Sequence, residues 1–306
     1  MAKQTAAGAE TRCGFIALIG APNAGKSTLL NALVGSKVTI VSHKVQTTRA
    51  LIRGITIEAP AQLIFIDTPG IFAPKRRLDR AMVTSAWTGA HDADLVGVLI
   101  DARKGVDEDA EAILGKLAEV AHPKVLILNK VDVTEKSALL TLAQAANDKV
   151  RFEATFMISA LTGDGVADLK AWFAGHVSAG PWLYPADQMS DAPMRQLAAE
   201  ITREKIFERL HQELPYHSTV ETDQWKELRG GAVRIEQTIY VERESQRKIV
   251  LGKGGRSIKA IGEAARKEIA GILEVPVHLF LFVKVREGWG DDPDRYTQMG
   301  LEFPQD

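Results

Sequence analysis

A chain of 306 residues is long enough for about two domains, each with a core of its own. With 45% hydrophobic and 25% charged residues it is an ordinary globular mixture, and no uninterrupted apolar run approaches the ~18 residues of a membrane-spanning helix. A formal net charge of −1 excludes a uniformly basic surface, so any nucleic-acid-binding face must be a local patch.

Residues 1–13 are rich in Ala and contain no apolar h-region, so they read as a flexible tail and not as a signal peptide. The single cysteine, Cys13, cannot form an intrachain disulfide, which fits a reducing cytoplasm. It borders an apolar run and reads as a packing residue. Five short runs then follow: FIALIG (Phe15–Gly20), QLIFID (Gln62–Asp67), DLVGVLID (Asp94–Asp101), KVLILNK (Lys124–Lys130) and FMISA (Phe156–Ala160). They are apolar nearly throughout, as strands covered on both faces must be, and the segments between them are long enough for crossover helices. The expectation is an α/β domain over residues 14–177 with an open, mostly parallel sheet. SAGPWLYPADQMSDAP, with three prolines, reads as a linker or an ordered connection, and residues 178–195 are assigned to it.

GAPNAGKS, formed by Gly20, Ala21, Pro22, Asn23, Ala24, Gly25, Lys26 and Ser27, matches G-x-x-x-x-G-K-[ST]. It follows a strand and precedes STLLNALVG, a helix that includes Thr28, the context that a phosphate-binding loop requires. Its backbone N–H groups and the helix N-terminus favour phosphate. Lys26 would bridge terminal phosphate oxygens, and the Ser27 hydroxyl would ligate Mg2+. Asp67, Thr68, Pro69 and Gly70 form D-x-x-G after a strand. Asp67 is expected to hold Mg2+ through a water, and Gly70 leaves its amide open to a γ-phosphate. A second hydroxyl is expected from the mobile segment KVQTTRA, which offers Thr47 and Thr48. Thr48 is preferred because it directly precedes Arg49, as in related GTPases, and the sequence leaves the choice open.

Asn129, Lys130, Val131 and Asp132 form N-K-x-D at another strand end. The Asp132 carboxylate can accept hydrogen bonds from guanine N1–H and the 2-amino group, where adenine offers no donor. Lys130 would lie along the base plane. Ser159, Ala160 and Leu161 end the fifth run, where backbone amides could meet the guanine carbonyl. Every motif falls at the C-terminal end of an expected strand, where open α/β sheets bind ligands. Ile71 stands where Ras-like GTPases carry a water-orienting Gln; neither Ile71 nor Phe72 can hydrogen-bond, and both read as packing residues.

In the second half, Leu197, Ile201, Ile206 and Leu210 share a helical face, Val233 to Val241 alternates as a strand, Ile258 to Ile272 returns to helical spacing and Val277 to Val285 is a last strand. VLGKGGRSIKAIG contains G-x-x-G as Gly252, Lys253, Gly254 and Gly255, followed by Arg256 and Lys259. Arg243, Arg247, Lys248, Arg266 and Lys267 surround it, a basic patch in a nearly neutral chain. This is the layout of a KH domain of the bacterial type, whose loop clamps single-stranded nucleic acid, here assigned to residues 196–290. The tail 291–306 is acidic and expected to be partly ordered at best.

Taken together, GAPNAGKS, QTTR, DTPG, NKVD, SALTG, ELPY and VLGKGGRSIKAIG with PVHLFLFVKV resemble the Era family of bacterial ribosome-assembly GTPases, over roughly Gly14 to Trp289. The resemblance implies GTP and GDP as ligands with Mg2+, binding near the 3′ end of 16S ribosomal RNA, and a role in maturation of the 30S subunit. It also implies peripheral association with the inner membrane; a monomeric free state is expected. Asn23 lies where related GTPases bind K+, so a monovalent cation there is a further expectation. A P-loop ATPase acting on RNA, or an RNA-binding protein with an inactive nucleotide site, are the alternatives; N-K-x-D argues against the first, and Lys26, Ser27 and Asp67 against the second.

Overall fold

The computed structural model describes residues 10–42, 44, 47–49, 51–210 and 214–304. Most of the expected N-terminal tail, Gln46 of QTTR and Glu213 of ELPY lie outside the described residues. Contacts divide the chain into two units: Met1–Val38, Thr48–Lys75 and Asp79–Asp191 form the first, and Thr39–Thr47, Arg76–Leu78 and Ala192–Asp306 the second.

The first unit is a six-stranded sheet in the order β2-β3-β1-β4-β5-β6. Its strands are β1 (Arg12–Gly20), β2 (Ile52–Glu58), β3 (Ala61–Asp67), β4 (Leu95–Asp101), β5 (Lys124–Asn129) and β6 (Ala154–Ile158). All neighbours run parallel except β2 and β3. Successive residues of β1 feed opposite cores. Ile16 and Leu18 pack with α1 (Lys26–Val34) and α5 (Val166–His176), while Ala17 and Ile19 pack with α2 (Arg77–Asp92), α3 (Glu108–Leu117) and α4 (Lys136–Asn147). Two-sided burial is why the central strands read as unbroken apolar runs.

Two features differ from the sequence expectation. Strand β2 was not foreseen: it is only partly buried, with Arg53, Thr56 and Ile57 half-buried and Glu58 exposed, and Gly54 interrupts its apolar series. Arg12 and Cys13 belong to β1 and not to a tail, since Arg12 Nε donates to Val177 O (2.7 Å) and Cys13 N to Ser178 O (3.0 Å). Of the two readings given for the Pro-rich connection, a linker or an ordered connection, the hydrogen bonds favour the second through Asp191. Gln62 receives the amides of Leu183 and Tyr184 (2.8 and 3.0 Å), and Ile55 N donates to Met189 O (2.8 Å). Cys13 packs as expected, half-buried with its Sγ directed at Gln62 Oε1, and burial pushes its thiol pKa up.

The second unit has a three-stranded sheet, β7-β8-β9. Strands β7 (Ser218–Glu227) and β8 (Val233–Val241) are antiparallel; β9 (Val277–Val285) joins β8 in parallel. Helices α6 (Met194–Arg209), α7 (Glu244–Leu251) and α8 (Arg256–Leu273) cover one face, with Ile201, Ile206, Ile235, Ile239, Ile261 and Ala265 at the centre. The C-terminal segment is better ordered than its acidity implies. Helix α9 (Pro293–Gln298) follows a short turn, and Trp289, Tyr296 and Leu301 are buried. Arg295 pairs with Glu221 at 2.6 Å over the ring of Tyr240. Three spaced apolar anchors outweigh the local charge.

Candidate functional site

The turn from β1 into α1 is built so that only glycine fits at its end. Gly25 has φ 102°, and a Cβ there would stand 2.1 Å from Asn129 Nδ2. Lys26 begins α1 and is buried; its Nζ donates to the carbonyls of Gly20 and Ala21 at 3.0 Å each. Burial pulls its pKa down to about 8, with the Asp67 charge opposing. Thr28 lies half-buried one residue past Ser27 in the same turn.

Three oxygens from three segments meet beside this loop. Ser27 Oγ donates to Asp67 Oδ2 at 2.7 Å and lies 2.9 Å from Thr48 Oγ1, which is 3.2 Å from the same carboxylate oxygen. Asp67 is fully buried at the end of β3. Of the two threonines offered by the sequence, Thr48 is the one directed here; Thr47 Oγ1 donates to Lys44 O at 2.7 Å. Thr68 is tied to Leu18 O at 2.7 Å, and Pro69 is buried. Gly70 lies so close to Pro22 that a Cβ would fall 2.9 Å from the Pro22 Cα. The next amide, from Ile71, donates to Gly20 O at 3.1 Å. The Ile71 side chain is buried in the core with Ala17 and Ile19, which bears out the packing reading.

Asn129, at the end of β5, joins the loops. Its Nδ2 donates to Ala24 O (2.8 Å) while Oδ1 accepts the amides of Lys130 (2.8 Å) and Ala160 (3.0 Å). The Ala160 amide is therefore used to hold this motif together. Ser159 is buried and its Oγ accepts the Thr162 amide, while Leu161 is exposed. Lys130 Nζ reaches Asn23 O (2.6 Å) and Asp101 Oδ2 (2.7 Å). Beyond Val131, Asp132 is exposed in a short helical turn.

Asp101 was missed in the sequence, although it ends β4 as Asp67 ends β3 and Asn129 ends β5. Burial alone would raise its pKa. The Arg103 guanidinium, donating at 3.0 and 2.6 Å, and the Lys130 ammonium override this and hold it at about 2. The signal available was its position at a strand end.

In the second unit, Gly252, Lys253, Gly254 and Gly255 link α7 to α8. Gly254 and Gly255 have φ of 62° and 76° and no atom where a Cβ would stand, so the loop backbone is open to approach. Lys253, Arg256 and Lys259 are exposed beside it, as are Arg243, Lys248, Arg266 and Lys267. Arg247 is committed to Glu244 (2.9 Å) and Val283 O, so it is not a full member of the patch.

A phosphate loop on an open sheet, hydroxyl and carboxylate oxygens gathered beside it, and an N-K-x-D strand end define a P-loop GTPase; the second unit has the fold of a KH domain. A family model described as 50S ribosome-binding GTPase matches residues 15–130, and one described as KH domain matches residues 213–290. The chain is 72% identical over 299 residues to GTPase Era of Bradyrhizobium sp. (strain BTAi1), covering 98% of this chain and 97% of that protein. It is 67% identical over 295 residues to GTPase Era of Brucella suis, covering 96% and 95%. Among solved structures, Era in complex with MgGDPNP and nucleotides 1506–1542 of 16S ribosomal RNA superimposes with a TM-score of 0.90 at 35% identity, covering 95% of this chain and 99% of that one. A tyrosine-to-alanine variant of Aquifex aeolicus Era bound to GDP·AlF4− gives a TM-score of 0.89 at 36% identity with the same coverage. The chain belongs to the Era family, and it is a GTP-hydrolysing enzyme.

Proposed function

We propose that the first unit binds and hydrolyses GTP with Mg2+, and that the second binds 16S ribosomal RNA near its 3′ end in assembly of the 30S subunit. The convergence of Ser27, Thr48 and Asp67 at the phosphate loop carries the enzymatic part. Two hydroxyls and a carboxylate are oxygen donors suited to a hard divalent cation that keeps several waters. Ser27 and Thr48 would hold Mg2+ directly and Asp67 through water; the ion would draw charge from the transferring phosphoryl group. Lys26 would leave its two loop carbonyls for phosphate oxygens, and the open amide of Gly70 would meet the γ-phosphate. Asp132 would accept the guanine N1–H and 2-amino hydrogens, with the Lys130 stem along the base.

The buried Ile71 cannot orient the attacking water, so backbone groups or an added charge must do so. Asn23 is proposed as a K+ ligand on the family resemblance, with the cation offsetting charge that develops during transfer. Gly252–Arg256 and Lys259 would clamp the RNA backbone, supported by the open glycines and the unneutralised cations beside them. Monomeric behaviour and peripheral contact with the inner membrane rest on the resemblance. No helix among the described residues is long and apolar enough to cross a membrane.

Competition between GTP and ATP for the first unit, together with multiple-turnover phosphate release, tests the enzymatic reading. Equal competition by ATP would remove the base assignment. Crosslinking to total cellular RNA, with and without non-hydrolysable GTP, tests the RNA partner; recovery of RNA without enrichment of the 16S 3′ end would overturn it.

A further inference from the structure

Among the described residues only three besides glycine have a left-handed backbone: Asn23 (φ 63°), Lys130 (φ 70°) and Glu274 (φ 55°). The first two stand in the two loops of the nucleotide site, and one bond joins them: Lys130 Nζ donates to Asn23 O at 2.6 Å. An asparagine visits this conformation readily. A lysine does not, because its Cβ crowds the following carbonyl, and it stays there only where its surroundings hold it. The second bond of the Lys130 ammonium goes to Asp101 Oδ2, at 2.7 Å.

Asp101 is itself firmly placed. It is the register partner of Asn129 at the ends of the parallel strands β4 and β5, and Ala102 N donates to Asn129 O at 2.9 Å. The sheet, and not a loop, therefore delivers this carboxylate beside N-K-x-D. The side chain is buried, and Arg103 fixes its rotation: the Arg103 amide and Nε donate to Oδ1 at 3.1 and 3.0 Å, and Nη2 donates to Oδ2 at 2.6 Å. Oδ2 thus offers the ammonium one fixed point, and Asn23 O offers the other. A charge-assisted bond to a carboxylate that cannot turn is directional as well as strong.

We propose that Asp101 is a positioning residue for guanine nucleotide binding: by holding the Lys130 ammonium against Asn23 O it aligns the Lys130 stem with the base and ties the phosphate loop to the N-K-x-D turn. This rests on the reading of Lys130 as lying along the guanine. The base is common to GDP and GTP, so the effect falls on how long either nucleotide stays bound and not on phosphoryl transfer.

The test uses the full chain. Release of fluorescent GDP and of a fluorescent non-hydrolysable GTP analogue is followed after addition of excess unlabelled nucleotide, beside single-turnover GTP hydrolysis and thermal unfolding. Asp101→Asn keeps the shape of the side chain and removes its charge. It is expected to speed release of both nucleotides by the same factor, roughly tenfold or more, as weakening of a charge-assisted bond does. Hydrolysis of bound GTP should stay within about twofold of the parent. Lys130→Met keeps an unbranched stem and removes the ammonium, and should speed release at least as much. With Lys130→Met in place, Asp101→Asn should add less than about twofold, because two residues that act through one bond are not additive; an Asp101 that only supports the fold would add its full effect. Parental release from Asp101→Asn would overturn the proposal, as would a full further increase in the double variant or an increase confined to one nucleotide. Should Asp101→Asn not fold, Asp101→Ser, which also removes the charge, is judged by the same outcomes. Lys130→Met separates the two levels: parental release there removes the base reading of Lys130 and the proposal with it, whereas fast release there beside parental release from Asp101→Asn removes Asp101 alone.

Discussion

The nucleotide site and the glycine loop of the second unit treat charge in opposite ways. At the first, Lys26, Asp67 and Asp101 are buried and each is bonded to the protein. At the second, Lys253, Arg256 and Lys259 stand in solvent beside a backbone that nothing covers. A buried polar site discriminates, because the wrong ligand leaves a donor or acceptor unmatched in a low-dielectric place. An exposed basic loop holds a charged chain with little regard to its sequence, and salt competes for it.

The largest effect should come from the base contact of the nucleotide site, where Asp132 is exposed until a base covers it. Asp132→Asn exchanges the donor and acceptor roles that guanine requires. GTP affinity is expected to fall by roughly a hundredfold or more, with xanthosine triphosphate gaining, since an unmatched polar contact costs that much. A binding titration with GTP unchanged would detach Asp132 from the site.

The matching experiment on the other side is Lys253→Asp with Gly254→Asp. Two carboxylates would face phosphates, and Gly254 would lose the freedom its positive φ requires. RNA binding should become undetectable by filter binding while GTP affinity stays within about twofold, since the substitutions lie in another unit. Salt should separate the regions again, with RNA affinity falling steeply between low and moderate salt through counterion release. Unaltered RNA affinity in the double variant would refute the clamp.

How much of this was legible depended on whether the signal was local. Gly25, Lys26 and Ser27, Asp67 and Asn129 sit in short motifs at strand ends, so pattern and position agreed. Asp101 has the same position but no motif after it, and its partner Lys130 is 29 residues away. The sequence could prefer Thr48 over Thr47 but not separate them, because the two hydroxyls are adjacent; they part only in the fold, one to Lys44 O and the other to Ser27 and Asp67. Strand β2 was lost because Arg53, Gly54 and Thr56 break up its apolar series. The bonds of α6 to Val41 and Thr47 span 163 and 156 residues, beyond any window of periodicity. The order of the C-terminal segment was hidden by its charge, since Trp289, Tyr296 and Leu301 are too far apart to form a run.

A smaller effect tests the buried lysine. Without nucleotide, burial holds the Lys26 pKa at about 8, and bound phosphates would favour its ammonium form. Binding above pH 8 must then take up a proton, so GTP affinity should be flat below about pH 7 and fall by up to about tenfold per unit above pH 8. Calorimetry at pH 8.5 in two buffers of different ionisation heat would show the proton uptake; identical apparent heats would contradict it.

The smallest effects concern the missing water-orienting amide. Ile71→Gln places an amide in an apolar core and should cost about 1–3 kcal/mol of stability without a Ras-like gain in rate. Hydrolysis in matched KCl and NaCl should differ by a few fold in favour of K+, less so in Asn23→Ala, if a cation supplies the charge that an arginine finger supplies elsewhere. Equal rates in both salts would exclude the cation, and a large gain from Ile71→Gln would show that the amide alone is lacking.

The ordered connection after α5 also bears on how the first unit behaves when cut free. Strand β2 ends the sheet, and its outer rim bears amides and carbonyls that could template a foreign strand. Ser190 bridges to Gly54 there, and Met189 takes the Ile55 amide. Residues 189–191 thus occupy part of that border, from Arg53 to Ile55. A fragment ending at Val177 would keep every nucleotide motif and expose that part, whereas one ending at Asp191 would keep it covered.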